Sequence, residues 1–266
     1  MKHIPLFIML MVSIGPLFLL AVNSMKTKEE FASNPFGLPT NFTFQNFFNA
    51  WERGNYAQAF TNSIIVGAVC IIVVAILGGL CAYALSKMEF AGANYIMVFL
   101  LITMSIPMGL FLVPLFYLWQ KLHLMDSLLG VMIIYSATYL PFNVFLLRSY
   151  FIGIPKEIIE SAKIDGCSEL QVLMKIIVPL AKPAFLTVAL LVGLWSWNEF
   201  FFANAFLQSE ELKTVATRYI VFTGRFSSDW TMISAAGMIT ILPIVIVYLF
   251  LQRRFIEGMT EGSLKG

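Results

Sequence analysis

The sequence predicts an all-α, polytopic membrane protein: six transmembrane helices, with a cytoplasmic helical loop between the fourth and fifth. Three observations carry that prediction. Of 266 residues, 59% are hydrophobic and only 12% are charged, with a mean hydropathy of +0.83; ordinary soluble domains carry about a quarter charged residues. The shortage of charge falls in blocks of twenty or so residues, enough to cross a hydrocarbon core of ~30 Å at ~1.5 Å per residue. Between the fourth and fifth blocks, a polar interval over residues 154–183 holds two short amphipathic patterns separated by one glycine. The net charge of +2 excludes little, but there is no basic run or aromatic-basic patch of the kind nucleic acid requires.

The six predicted spans cover residues 4–22, 63–85, 95–119, 127–147, 183–203 and 232–251, within one membrane domain over residues 1–266. Lysine and arginine orient them. With the loop 148–182 inside, Lys2, Lys87, Arg148, Lys156, Lys163, Lys175, Lys182, Arg253, Arg254 and Lys265 are cytoplasmic. Lys26, Lys28, Arg53, Lys121, Lys213, Arg218 and Arg225 are then outside. Ten against seven is a modest excess, but it is concentrated in one inner loop and the tail 252–266, so both termini are expected inside. The first span could instead be a secretory signal, since Lys2 and His3 precede it. No small-x-small cleavage site follows, which favours an uncleaved span.

Outside the membrane, residues 23–62 crowd Phe42, Phe44, Phe47, Phe48, Trp51 and Tyr56 together. Headgroup anchoring accounts for such aromatics; a surface for an external partner is the sharper alternative. Cys70, Cys81 and Cys167 form no C-x-x-C pair, so neither zinc nor a disulfide framework is expected. Pro16, Pro107, Pro114, Pro141 and Pro243 interrupt spans, and broken helices often line transporter cavities. Pro107 and Gly109, in mid-span, mark the best candidate opening. Small residues form a close-packing face on the second span (Gly67, Ala75, Gly78, Gly79, Ala82) and another on the sixth (Ser234 to Gly237). Glu199 lies about 24 Å along the fifth span from Pro183, near its outer end. There it could pair, cap, or touch a hydroxylated ligand. Trp195, Trp197 and Asn198 beside it could stack on and hydrogen-bond a sugar ring, or simply anchor the interface.

The inner loop has the strongest local signals. Pro155 suits a first helical position because its missing N–H costs nothing there. Ile158, Ile159 and Ala162 form an apolar stripe, with Glu157, Glu160 and Lys163 on the polar side. Asp165-Gly166 ends this helix through a left-handed glycine, and Ser168 to Gln171 restarts a helix as a capping box. Leu170, Leu173, Ile176 and Ile177 carry the second stripe up to Pro179. Two short helices meeting at a glycine turn would lie on the membrane surface. They could offer a knob to a cytosolic partner, or only seal the helices beneath.

A resemblance shifts the balance toward the docking surface. Glu160-Ser161-Ala162, then Gly166, Ile176 and Val178-Pro179, resembles the EAA signature of ABC-importer permeases: E-A-A, three residues, G, nine residues, I, one residue, L-P. Ser161 and Val178 depart from it by small changes in volume. The run from Ile154 to Gln171 is similar to carbohydrate-type permeases, the group of the maltose permease's smaller subunit. Trp197-Asn198-Glu199-Phe200, Asp229-Trp230 and the ending from Gln252 to Gly266 also fit, so the resemblance covers nearly the whole chain.

This resemblance implies a coupling helix in the loop that seats in a cleft of a cytosolic ATPase through Glu160, Ser161, Ala162, Asp165, Gly166, Ile176 and Pro179. It further implies a bacterial or archaeal cell membrane, a second permease subunit, two ATPase copies carrying ATP and Mg, and an external solute-binding protein delivering sugar. The chain itself has no G-x-x-x-x-G-K-[ST] phosphate loop, so it is expected to be no enzyme and to bind no cofactor. Trp195, Trp197, Asn198, Glu199, Pro107 and Gly109 are the candidate substrate-pathway residues. Another polar solute, such as a glycerol phosphate or polyamine, is the alternative cargo. A stand-alone secondary transporter would need buried carboxylates or histidines that the spans lack.

Overall fold

A computed structural model describes the backbone of residues 3–261 and the side chains of residues 4–250. Every regular element in it is helical. The helices are α1 (His3–Ser24), α2 (Lys28–Ser33), α3 (Gln45–Arg53), α4 (Tyr56–Lys87), α5 (Ala93–Ser105), α6 (Leu112–Lys121), α7 (Leu128–Ile152), α8 (Lys156–Ile164), α9 (Glu169–Val172), α10 (Val178–Leu180), α11 (Lys182–Asn198), α12 (Phe201–Phe206), α13 (Val215–Arg225) and α14 (Trp230–Glu261). A π turn, Leu173–Ile177, joins α9 to α10. Short 3₁₀ segments, Met108–Phe111 and Glu210–Leu212, precede α6 and α13.

Four helices are long and apolar enough to cross a membrane unbroken: α1, α4, α7 and the Trp230–Phe250 part of α14. Two further candidates are bent pairs. Ala93–Ser105 and Met108–Lys121 meet at 94°, and Glu169–Leu180 and Lys182–Asn198 at 79°. The third predicted span is thus broken at Ile106-Pro107. Among the prolines expected to interrupt spans, only Pro107 stands at such a break: Pro16, Pro141 and Pro243 lie inside continuous helices, and Pro114 sits in the first turn of α6. A first-turn proline removes no hydrogen bond. The fifth span is shorter than expected, because α11 ends at Asn198 and Glu199 turns extended. At the other end of the chain, α14 continues to Glu261, through much of the expected tail. The side chains of Arg253 and Arg254, like Lys2 and Lys265, lie outside the described residues.

The chain divides into two compact units. One comprises Met1–Asn62 and Ser209–Val247, the other Ser63–Gln208 and Tyr248–Gly266. In the first, Tyr56 is fully buried, so it belongs to the core and not to the row of interfacial anchors. It stacks on Trp51 with centroids 6.3 Å apart and meets Phe222 edge-on at 6.1 Å. Phe42, Phe44 and Phe48 remain exposed. Lys26 is fully buried, its ammonium donating to Asn23 Oδ1 (2.9 Å) and the Asn34 carbonyl (2.8 Å). Arg218 is buried against the Glu210 carboxylate and carbonyl. Asn62 Nδ2 donates to the Glu211 (2.7 Å) and Lys213 (3.0 Å) carbonyls. Asp229 Oδ1 accepts from Met232 N (3.1 Å) as the N-cap of α14, while Lys28 pairs with Oδ2 at 2.9 Å. Three of the cations expected outside, Lys26, Lys28 and Arg218, are therefore internal ties.

The second unit packs α7 and α11 against α4. Val66, Cys70 and Val74 recur every fourth residue along α4, and Ala184, Val188 and Val192 do so along α11; all are buried. The predicted small face of α4 is what lets these helices approach. A Cβ on Gly79 would lie 3.2 Å from the Phe185 ring. Gly78 faces Leu140 and Leu147, and Gly67 faces Ser196.

Candidate functional site

The loop 148–182 is built by local rules that the sequence announces. Pro155 has extended ψ (138°) and stands one residue earlier than expected, at the N-cap of α8. At the other end, Gly166 takes φ +83°. Its N–H donates to the Lys163 carbonyl (3.0 Å) and the Cys167 N–H to the Ala162 carbonyl (2.9 Å). Those two bonds are the 5→2 and 6→1 pair of a Schellman turn, which satisfies carbonyls that the helix end leaves open. The capping box then starts α9. Ser168 Oγ accepts from Gln171 N (3.4 Å), and Gln171 Oε1 accepts from Ser168 N (2.8 Å).

The loop buries one side and shows the other. Ile159 and Ala162 face inward, but Ile158 is 42% exposed, so the first stripe is narrower than predicted. In the second helix the stripe is rotated: Val172, Leu173 and Ile177 are buried, while Leu170 is 61% exposed. The π turn explains this, since its extra residue per turn shifts the phase that a 3.6-residue period assumes. On the outward side, Glu160, Ser161, Asp165 and Gly166 are exposed around Ile164, itself 86% exposed. Ser161 donates to the Glu157 carbonyl (2.8 Å). Ile176 is half-buried and Pro179 is exposed. Ile164 thus stands bare among charged neighbours at a turn fixed by local hydrogen bonds.

Tyr83 and Glu169, whose roles the sequence reading did not single out, hold this loop in place together with Lys163, Lys87 and Arg148, read there as cytoplasmic cations. Tyr83, near the end of α4, donates to Glu169 Oε2 at 2.5 Å, and Lys163 pairs with Glu169 Oε1 at 2.5 Å. Lys87 donates to the Ile154 carbonyl (2.6 Å), and Arg148 Nε to the Leu85 carbonyl (3.1 Å). The ends of α4 and α7 thereby cap each other with cations, as the open carbonyls of a helix C-terminus favour. The legible signal was a tyrosine and a lysine in the last turn of an apolar span; their partners lie far off in sequence.

The candidate pathway residues fall into two places. Pro107 borders a cavity of 490 Å³ at the bend between α5 and α6, whose walls include Ile106, Phe111, Trp119, Thr138 and Phe202. Gly109 lies next to the bend, with open space where a Cβ would be. At the end of α11, Trp195 packs on Tyr139 and Phe142 with centroids 5.4 and 5.3 Å apart. Trp197 is half-buried, and Asn198 donates back to the Leu194 carbonyl (2.8 Å). Glu199 accepts from Phe202 N (2.8 Å), Ala203 N (3.0 Å) and the Tyr135 hydroxyl. Of its three possible roles, this carboxylate performs the cap. The other end of α12 is tied by Asp126, whose N–H donates to the Phe206 carbonyl (2.9 Å) and whose Oδ1 accepts from Gln208 N (2.8 Å).

This arrangement has counterparts. Residues 74–261 match the model of the family described as "binding-protein-dependent transport system inner membrane component". The diacetylchitobiose uptake system permease protein NgcG of Streptomyces coelicolor is 32% identical over 267 residues, covering 99% of this chain and 88% of that protein. The arabinooligosaccharides transport system permease protein AraQ of Bacillus subtilis is 32% identical over 255 residues, covering 94% and 90%. A crystal structure of a bacterial ABC transporter that imports the acidic polysaccharide alginate contains a chain that superposes with a TM-score of 0.84. It is 26% identical and the match covers 96% of this chain and 95% of that one. The bare knob, the latched loop and the broken spans therefore sit in a polytopic ABC-transporter permease, and this chain belongs to the binding-protein-dependent inner-membrane component family.

Proposed function

We propose that the chain is the translocation subunit of an ATP-driven importer that brings a mono- or oligosaccharide into the cell. The observation that carries the coupling half of this reading is the outward side of α8. Glu160, Ser161, Asp165 and Gly166 surround the bare Ile164 at a turn whose φ (+83°) only glycine adopts freely. Such a knob fits a cleft in a cytosolic ATPase, two copies of which would carry the ATP and Mg. Ala162, Ile176 and Pro179 shape the loop from behind. The carbohydrate half follows the cargo named for the family relatives.

In this reading the two bent pairs supply the third and fifth of six spans, and both termini are cytoplasmic. The concentration of lysine and arginine in the loop 148–182 and at the end of the last span supports that orientation. A companion permease, a solute-binding protein outside and the surrounding lipid complete the assembly. The sugar would pass the bend at Pro107 and Gly109, with Trp195, Trp197, Asn198 and Glu199 shaping the outer end.

The test is to express the chain with its native operon, extract it gently and identify what stays bound. A stoichiometric ATPase with a second permease is expected. A chain that purifies alone and still transports would overturn the proposal.

A further inference from the structure

We infer that Tyr83 and Glu169 are positioning residues that deliver movement of the α8 knob to α4, the second span. The inference rests on the coupling reading above and names the element that receives the motion. Glu169 is the meeting point of three elements. Its Oε2 accepts from Tyr83 of α4 (2.5 Å), its Oε1 pairs with Lys163 of α8 (2.5 Å), and its own backbone is the first residue of α9. The Schellman turn and the capping box on either side of the α8–α9 junction fix the angle between those two helices. A push on Ile164 or Gly166 therefore displaces Glu169 as part of one body.

Tyr83 is only 4% exposed, so its hydroxyl is held by packing as well as by the carboxylate. Charge-assisted O–H···O bonds of this length are among the stronger ones available to side chains. The crossed caps at Lys87 and Arg148 add two bonds between the end of α4 and the α7 side of the loop. Those reach backbone carbonyls before α8 begins, whereas the Tyr83 bond reaches beyond the knob. α4 is thus gripped on both sides of α8. None of these four residues belongs to the E-A-A-to-L-P spacing.

The test uses the assembled complex with its ATPase, companion permease and binding protein, in liposomes. Nitroxide labels replace Ile158 on α8 and Ile76 on α4, 42% and 56% exposed respectively, with Cys70, Cys81 and Cys167 changed to alanine. Distances are measured without nucleotide and after trapping with ATP and orthovanadate. With Tyr83 and Glu169 intact, the distance distribution stays the same in both states, because α4 follows α8. In Tyr83→Phe and in Glu169→Gln, trapping shifts the distribution by more than its width while ATPase stoichiometry is retained. The double variant shifts no further than either single one. Lys163→Arg preserves the parental behaviour. A merely structural role would lower yield or melting temperature and leave the trapped and untrapped distances equal. If Tyr83→Phe retains the parental distances in both states, or if the parent itself shifts on trapping, the relay is overturned and the coupling reading stands. A parent complex that holds no ATPase overturns both.

Discussion

Replacing Glu199 should cost more than its position at the end of a span suggests. Its carboxylate accepts two backbone N–H groups at the start of α12 and the hydroxyl of Tyr135, a residue with no exposed surface. In Glu199→Ala the lost cap costs about 0.5–2 kcal/mol. The Tyr135 hydroxyl, left buried without its acceptor, costs about 1–3 kcal/mol more. A total of about 1.5–5 kcal/mol corresponds to roughly a 3–20 °C fall in melting temperature for a domain of this size. Glu199→Gln keeps one acceptor oxygen and should fall between. The decisive comparison is a double-mutant cycle. Adding Tyr135→Phe to Glu199→Ala removes the orphaned hydroxyl, so the second change should be nearly neutral or restore stability, although Tyr135→Phe alone destabilises. Thermal unfolding of the detergent-extracted protein, followed by size-exclusion fluorescence, measures all four corners. A Glu199→Ala protein that melts within a degree or two of the parent would refute the capping role and return this carboxylate to the pathway.

Three other outcomes follow from the same structure. Gly166→Asn and Gly166→Ala should both insert normally, since a Cβ there meets nothing within 4 Å, but alanine should lose about 1 kcal/mol through its left-handed φ; melting temperatures ordered Gly, Asn, Ala check this. Burial pushes the Asp229 carboxyl up, but Lys28, the Met232 N–H and Thr231 outweigh it and hold the group below its ordinary 3.8. Its stabilisation is therefore present above that value and lost as pH falls through the lowered one. The melting-temperature gap between the parent and Asp229→Asn should be constant at neutral pH and close on strong acidification; a gap that widens in acid contradicts the assignment. Gly79→Ala brings a methyl to 3.2 Å from Phe185 and should cost about 1–3 kcal/mol, with recovery on adding Phe185→Leu.

What could be read in advance was local or periodic. The left-handed Gly166 and the Ser168–Gln171 box need only neighbours within a few residues, and both stand where the spacing put them. The long apolar blocks likewise announce α1, α4, α7 and α14. Phase was less secure: Leu170 seemed to lead the second stripe because a 3.6-residue period was assumed through a segment that contains a π turn. Roles that depend on distant partners were out of reach. Tyr83 and Glu169 are 86 residues apart, so nothing near either one reveals the bond. Tyr56 reads as one more interfacial aromatic until Trp51 and Phe222 are seen around it. Glu199 reads as a lone charge because the helix it caps exists only where the fifth span stops short.

The tie between Asn62 and the carbonyls of Glu211 and Lys213 has a consequence for how the chain is made. The donor and its first acceptor are separated by 149 residues. At ~5–20 residues per second, a ribosome needs about 7–30 s to produce the second after the first. Through that interval the amide of Asn62 waits at the mouth of an inserted α4 without its partners, and Asp229, which receives Lys28, has yet to be synthesised. This tie within the first unit is therefore closed only after residues 63–208 of the second have been synthesised.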